Sequence, residues 1–307
     1  MQKEKTIRID MRRGRKLVRL RRLARRAGNV VYWTVVAASA ALVLRYLVLV
    51  VVFDTFHTPT ESMTPTLQPG DHGYIDKLKL GGRIFDFYAA ARGERVTVRR
   101  LPGYGRLERG DVIVFNATFD ERWDSVALNM YRYYCKRAVA VAGDTLEAVG
   151  GFYRVRGDGS VYGVKGEQRL LRQVVDDITR QTPDSVGLPN WITIGPRDSL
   201  FNWTIRDFGP YVIPREGMTM RIDRRNYLLY RKYIEWETGR KLEWTEAGAR
   251  LGGIPLPAYT FTEDYCFAAG DHAVDSQDSR YWGLVPEKFI VGVARFVFKS
   301  KRGMRWL

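Results

Sequence analysis

Cysteine and histidine are scarce in this chain of 307 residues. The two cysteines, Cys135 and Cys266, exclude a disulfide framework and match no metal-site spacing; two free thiols are the expected state, one bridge the most that could form. The three histidines, His57, His72 and His272, limit any catalytic scheme built on imidazole. No HExxH occurs, so a zinc site would have to recruit carboxylates, and neither metal nor cofactor is expected. Internal repeats and low-complexity tracts are also missing, and beyond Phe53 no run of about 18 apolar residues recurs.

What is present suffices for at least one sizeable core: 45% of residues are hydrophobic, with 29 Gly and 12 Pro. The formal net charge is +16, but Met1 to Asn29 holds twelve Lys/Arg against Glu4 and Asp10. That segment carries +10 (12 − 2), leaving +6 (16 − 10) for the rest, so the basicity is local.

Lys16 to Gly28 reads KLVRLRRLARRAG, with Leu17, Leu20, Leu23/Ala24 and Ala27 at helical spacing and Arg on the remaining faces. A basic amphipathic helix of this kind suits an anionic inner leaflet, at about 1 kcal/mol per basic residue. A nucleic-acid-binding arm is the rival reading. The following segment favours the membrane and excludes nucleic acid as the expected partner. Val30 to Phe53 is interrupted only by Thr34, Ser39 and Arg45. As a helix it extends roughly 36 Å, enough to cross a core of about 30 Å with tilt. A central Arg costs about 3 kcal/mol, and fourteen Val/Leu/Phe residues at about −0.4 each offset it. An alternative ends the helix near Leu44 and leaves Leu47 to Phe53 as a strand. The run is too long for a cleaved export signal, and the Lys/Arg excess on its N-terminal side puts Met1 in the cytoplasm.

Beyond the anchor, Arg95–Arg99, Asp111–Phe115, Tyr134–Val141 and Lys288–Lys299 are β-branched, roughly alternating and bounded by turn residues, which predicts a mainly β domain. Gly151 to Glu263 is rich in turn residues and shows one good helix, Arg224 to Thr238, capped by Asp223 and ended by Gly239. It reads as an inserted α+β subdomain.

In HTPTESMTPTLQPGD, His57 to Asp71, three prolines forbid a regular helix and hold Ser62 on a stiff, extended loop. A serine needs a neighbouring base to become a nucleophile, usually His and less often a desolvated Lys. In YYCKRAVAVAGD, strand alternation puts Tyr134, Lys136, Ala138 and Ala140 on one face and Cys135, Arg137 and Val139 on the other. An amine among apolar groups loses its charge more readily and can accept a proton. The plain alternatives are a Pro/Thr-rich turn and a strand lysine whose head reaches solvent.

Four segments, PTESMTPTL at Pro59, RGDVIVF at Arg109, YYCKRAVAVAGD at Tyr133 and GDHAVDSQDSRYWGLVP at Gly270, together resemble bacterial type I signal peptidase (leader peptidase) in order and spacing. The resemblance covers about Thr58 to Phe298 and implies a signal-peptidase-like β-fold. Residues 1–29 would be a basic cytoplasmic tail, 30–53 one transmembrane helix, 54–150 and 264–300 the catalytic β domain, 151–263 the insertion and 301–307 a basic tail without assigned function. Ser62 would be the nucleophile and Lys136 the base, with Ser276 holding the lysine amine and the Ser62 N–H and Thr60 hydroxyl binding the oxyanion. Asp278, Arg280 and Arg137 would be supports. Thr58, Met63, Tyr133, Tyr134 and Cys135 would meet substrate, Tyr133 to Cys135 as a strand pairing with an extended peptide. Where the family usually carries Asn-Arg, this chain has His272 and Ala273.

The implied activity is removal of signal peptides from exported preproteins, after Ala-x-Ala-like sequences, at the outer face of the cytoplasmic membrane. The implied partners are signal peptides, the bilayer and the translocation machinery. Three other readings stand beside it: a Ser62/His272 dyad oriented by Asp271 or Asp275, a Ser/Lys protease for one dedicated substrate, and a silent membrane-tethered peptide-binding protein.

Overall fold

The computed structural model describes residues 2–183, 187–196 and 198–307, with side chains described from residue 21 on except at 47, 49 and 50. The chain divides into two compact units, one ending at Val50 and one beginning at Val51. The first is a helix that runs from Gln2 to Val51. Its stretch Arg21–Tyr46 is long and apolar enough to span a membrane, and none of it is buried within the protein. The helix does not stop near Leu44; it continues through Arg45 to Val51, and strand begins at Phe53. Lys16 to Gly28 is helical, but the side chains before Arg21 lie outside the described ones.

The second unit is built on an eight-stranded sheet: β1 (Phe53–His57), β2 (His72–Asp76), β3 (Val112–Ala117), β4 (Asn129–Ala140), β5 (Tyr265–Ala269), β6 (Val285–Pro286), β7 (Ile290–Lys299) and β8 (Arg305–Trp306). The order across it is β1-β2-β7-β3-β4-β5-β6, with β8 on β7, and all neighbours are antiparallel. Strand β3 is buried along its whole length, which suits its unbroken VIVF run. One face of the sheet holds Ile113, Phe115, Ala138 and Trp282, and a separate cluster holds Val112, Val114, Met63 and Leu67. A register shift in the β4/β5 ladder interrupts the expected alternation, and Val139 and Ala140 both join the larger core.

That larger core continues into residues 151–263. A four-stranded sheet, ordered Phe208–Val212, Thr145–Val149, Phe152–Val155 and Val161–Tyr162, supplies part of it. The expected helix is present from Arg224 to Thr238: Asp223 accepts from the Asn226 N–H at 2.8 Å and Gly239 closes it at φ 69°. A second helix, Lys165–Gln181, corrects the reading of one. It buries Gln168, Leu171 and Val175, but Val164 at its start offers no side-chain cap. The Arg95–Arg99 strand is also corrected, since only Arg99–Arg100 pairs, with Arg83–Ile84.

Candidate active site

The loop between β1 and β2 carries Ser62. It is not the extended loop its prolines suggest: Thr64 N–H bonds Glu61 O at 2.8 Å and Leu67 N–H bonds Met63 O at 2.9 Å, folding it into successive turns. The loop is closed at its base by Thr58 N–H to Asp71 O at 2.9 Å and Gly70 N–H to Thr58 O at 2.8 Å. Met63 and Leu67 point into the core, so the turns hold the half-exposed Ser62 against β4.

Lys136 lies on β4 opposite Ile113, and its Nζ is 2.6 Å from Ser62 Oγ. The residue is 2% exposed. Burial pushes its ammonium below the ordinary lysine range, against a smaller opposite pull from the Asp278 carboxylate. Neutral, the amine can accept the Ser62 hydroxyl proton across that contact. Thr60 Oγ1 lies 3.4 Å from Ser62 Oγ. The Ser62 N–H has no acceptor among the described residues. A free backbone N–H and a neighbouring hydroxyl therefore stand beside Ser62 Oγ, groups of the kind that can stabilise a developing oxyanion.

The turn after β5 closes the site. Gly270 lies against Ser276 and the Ser62 carbonyl, and a Cβ there would fall 2.1 Å from Ser276 Oγ and 2.5 Å from Ser62 O. Ser276 Oγ is buried next to Lys136's partner residue but has no hydrogen-bond partner among the described residues, so the expected bond to the lysine amine is not formed here. Arg280 and Asp278 are completely buried and bound through two contacts of 2.8 Å. Arg280 also donates to Ala273 O at 2.7 Å and Ser276 O at 3.2 Å, and Asp278 accepts from Gly270 N–H at 2.9 Å. Burial alone would raise the Asp278 carboxyl; Arg280, Lys136 and the Gly270 N–H together hold it below the usual carboxylate range. Arg137 is bidentate to Asp271 at 2.7 and 2.6 Å and reaches Gly110 O and Thr66 Oγ1.

His272 does not present its ring to Ser62. Its Nε2 is 4.0 Å from Glu167, on the unexpected helix, and Asp271 is taken by Arg137. Its backbone N–H donates to Ser62 O at 3.1 Å. The Ser62/His272 dyad is therefore absent from this arrangement.

Of the expected substrate residues, Tyr133 is exposed, Tyr134 and Cys135 are half-buried, and Thr58 and Met63 are buried. Burial pushes the Cys135 thiol up to about 12, and both cysteines are free. On the side of β4 away from β3, only Arg137 to Ala140 pair with β5. Asn129 to Lys136 thus offer an unpaired strand edge, among the described residues, that ends at the lysine in contact with Ser62.

Other supports escaped the sequence reading. Arg305 in the C-terminal tail donates to Thr66 O at 2.8 Å and Asp71 at 2.6 Å, and Arg302 donates to Pro65 O at 2.8 Å. Arg109 binds Asp144 bidentately, tying the second motif to the third. All three lie in segments already noted, but nothing local names their partners.

The family model described as Signal peptidase, peptidase S26, matches residues 30–194 and 237–299. The chain is 26% identical to Signal peptidase I of Haemophilus influenzae over 271 residues, covering 86% of this chain and 69% of the relative. It is 24% identical to Signal peptidase I of Helicobacter pylori over 269 residues, 84% of this chain and 79% of the relative. It is 23% identical to Signal peptidase I of Buchnera aphidicola subsp. Baizongia pistaciae over 270 residues, 84% and 73%.

Proposed function

The chain belongs to the signal peptidase family, peptidase S26, and from that premise we propose how its residues carry out the reaction of a type I signal peptidase. The enzyme is a serine endopeptidase whose substrates are preproteins with signal peptides. Ser62 Oγ attacks the scissile carbonyl while Lys136 takes its proton; the oxyanion forms beside the Ser62 N–H and the Thr60 hydroxyl. Lys136 then returns the proton to the departing amine, which leaves an acyl-enzyme. Water attacks the ester with Lys136 again as base, and Ser62 is restored. Arg137, Asp278 and Arg280 hold the loops in place.

The unpaired edge of β4, with Tyr133, Tyr134 and Cys135, takes the extended substrate by strand addition, and Thr58 and Met63 shape the floor beneath its small side chains. The N-terminal helix anchors the protein in a membrane. The basic residues ahead of it place Met1 on the cytoplasmic side, against an anionic inner leaflet, and the body on the outer face of the cytoplasmic membrane, where a substrate emerges from the translocation machinery. Residues 54–150 and 264–300 carry the catalysis, and 151–263 are an insertion.

The observation that carries this reading is the 2.6 Å contact between a buried, charge-disfavoured Lys136 and Ser62. Its test is cleavage of a preprotein bearing an Ala-x-Ala site by the detergent-solubilised full chain. Loss of cleavage in Ser62→Ala and Lys136→Ala supports the dyad, and full activity in either overturns it.

A further inference from the structure

Two of the chain's three histidines meet across one rung of the sheet. His57 ends β1, His72 begins β2, and the antiparallel ladder pairs them directly. The chain between them is the loop that carries Ser62. Their neighbours Phe56 and Gly73 are buried, whereas His57 is exposed and His72 half-buried, so both imidazoles stand on the outer face. Their ring centres are 4.7 Å apart, with the ring planes inclined at 48°.

Neither imidazole has a hydrogen-bond or ion-pair partner among the described residues. The Phe298 ring, 6.3 Å from His72, offers no polar atom. Lys299, opposite His72 on β7, is exposed, and its long stem lets the ammonium stay in solvent. Four ring nitrogens therefore converge with nothing to bind.

A neutral imidazole offers one lone pair, and divalent transition metals hold such nitrogens at about 2.1 Å. Two imidazoles aimed at one ion from that distance have ring centres roughly 4.5 Å apart at a right-angled corner and roughly 5.2 Å apart at a tetrahedral one. The separation of 4.7 Å lies near the right-angled value. That corner belongs to the tetragonal and square-planar geometries of copper(II) and nickel(II), and of these copper(II) binds nitrogen ligands more tightly.

We propose that His57 and His72 form a two-imidazole site for a divalent copper or nickel ion, with water in its remaining positions. The ion adds a second tie across the neck of the Ser62 loop, next to the Thr58 N–H bond to Asp71 O at 2.9 Å. The site uses neither Ser62 nor Lys136 and does not rest on the peptidase reading.

The test uses the full chain in detergent, free of any histidine tag, titrated with Cu²⁺ and read by pulsed electron paramagnetic resonance, whose nitrogen couplings count the imidazoles on the ion. One ion per chain with two imidazole nitrogens is expected. His57→Gln and His72→Gln each leave a single imidazole and weaken binding at least about tenfold, since the loss of even a supporting residue at a metal site costs that much. His272→Gln, which removes the third histidine, keeps the wild-type signal. Ni²⁺ raises the thermal midpoint of the wild type and not that of His57→Gln or His72→Gln. One imidazole or none on the ion bound to the wild type overturns the site. So does a two-imidazole signal that persists in His57→Gln or His72→Gln, or one that is lost in His272→Gln. An unchanged midpoint in the wild type overturns the tie across the loop.

Discussion

The backbone N–H of His272 donates to the carbonyl of Ser62 at 3.1 Å, while the imidazole of the same residue faces Glu167. The histidine beside Ser62 thus serves through its main chain, which any residue but proline can supply. His272→Ala is expected to keep most of the preprotein cleavage, whereas Ser62→Ala and Lys136→Ala lose at least about 1000-fold in kcat. Comparable loss in His272→Ala would move the general base from the lysine to the imidazole.

The lowered pKa of Lys136 gives the rate a direction with pH. Only the neutral amine accepts a proton, so kcat/KM rises as pH passes upward through a value below the ordinary 10.5 of lysine. Stability follows the same sign: between the folded and unfolded pKa values the unfolded chain binds the extra proton, so stability increases with pH across that window. Lys136→Met removes that contribution to the slope. Rate profiles and thermal unfolding across pH measure both.

Thr60→Val keeps the shape of the residue and removes its hydroxyl. The expected loss is about 100- to 1000-fold in kcat with little change in KM, and Thr60→Ser recovers most of it. Steady-state kinetics on a signal-peptide substrate would show this split, and an unchanged kcat would exclude the hydroxyl from oxyanion stabilisation.

The Asp278–Arg280 pair is buried without exposure on either side chain. Arg280→Met leaves a buried carboxylate and frees the carbonyls of Ala273 and Ser276. A cost of about 3–5 kcal/mol is expected, read as a lower denaturation midpoint. Arg122→Ala, which breaks an exposed pair with Asp124, should shift the midpoint little.

Arg305 grips the Ser62 loop at Thr66 O and Asp71. Arg305→Ala is expected to lower kcat on the order of tenfold through misplacement of the nucleophile, with KM nearly unchanged. Arg305→Lys should recover only part, because a point charge cannot hold two acceptors with the geometry of a guanidinium fork.

Local rules made some of this legible in the sequence. Asp223 and Gly239 mark their helix because a capping carboxylate and a left-handed glycine act within a turn of their own position. Lys136 could be turned inward by alternation, and its place beside Tyr134 on one face follows the period of a strand. Lys165–Gln181 was hidden because Val164 supplies no cap, although Leu171, Val175 and Ile178 have the spacing of a buried stripe. Arg95 to Val98 alternates as a strand should, but pairing depends on a partner that the pattern cannot name. The grip of Arg305 on Thr66 bridges most of the chain, and no local signal encodes it.

The position of β7 bears on when the enzyme becomes active. Residues 290–299 form the strand between β2 and β3, and Arg305 lies beyond them. A nascent chain therefore contains Ser62 and Lys136 long before the strand and the arginine that fix the nucleophile loop have been synthesised. Truncation ahead of Ile290 therefore removes a central strand of the sheet and the arginine tied to the Ser62 loop, while leaving both Ser62 and Lys136 in the chain.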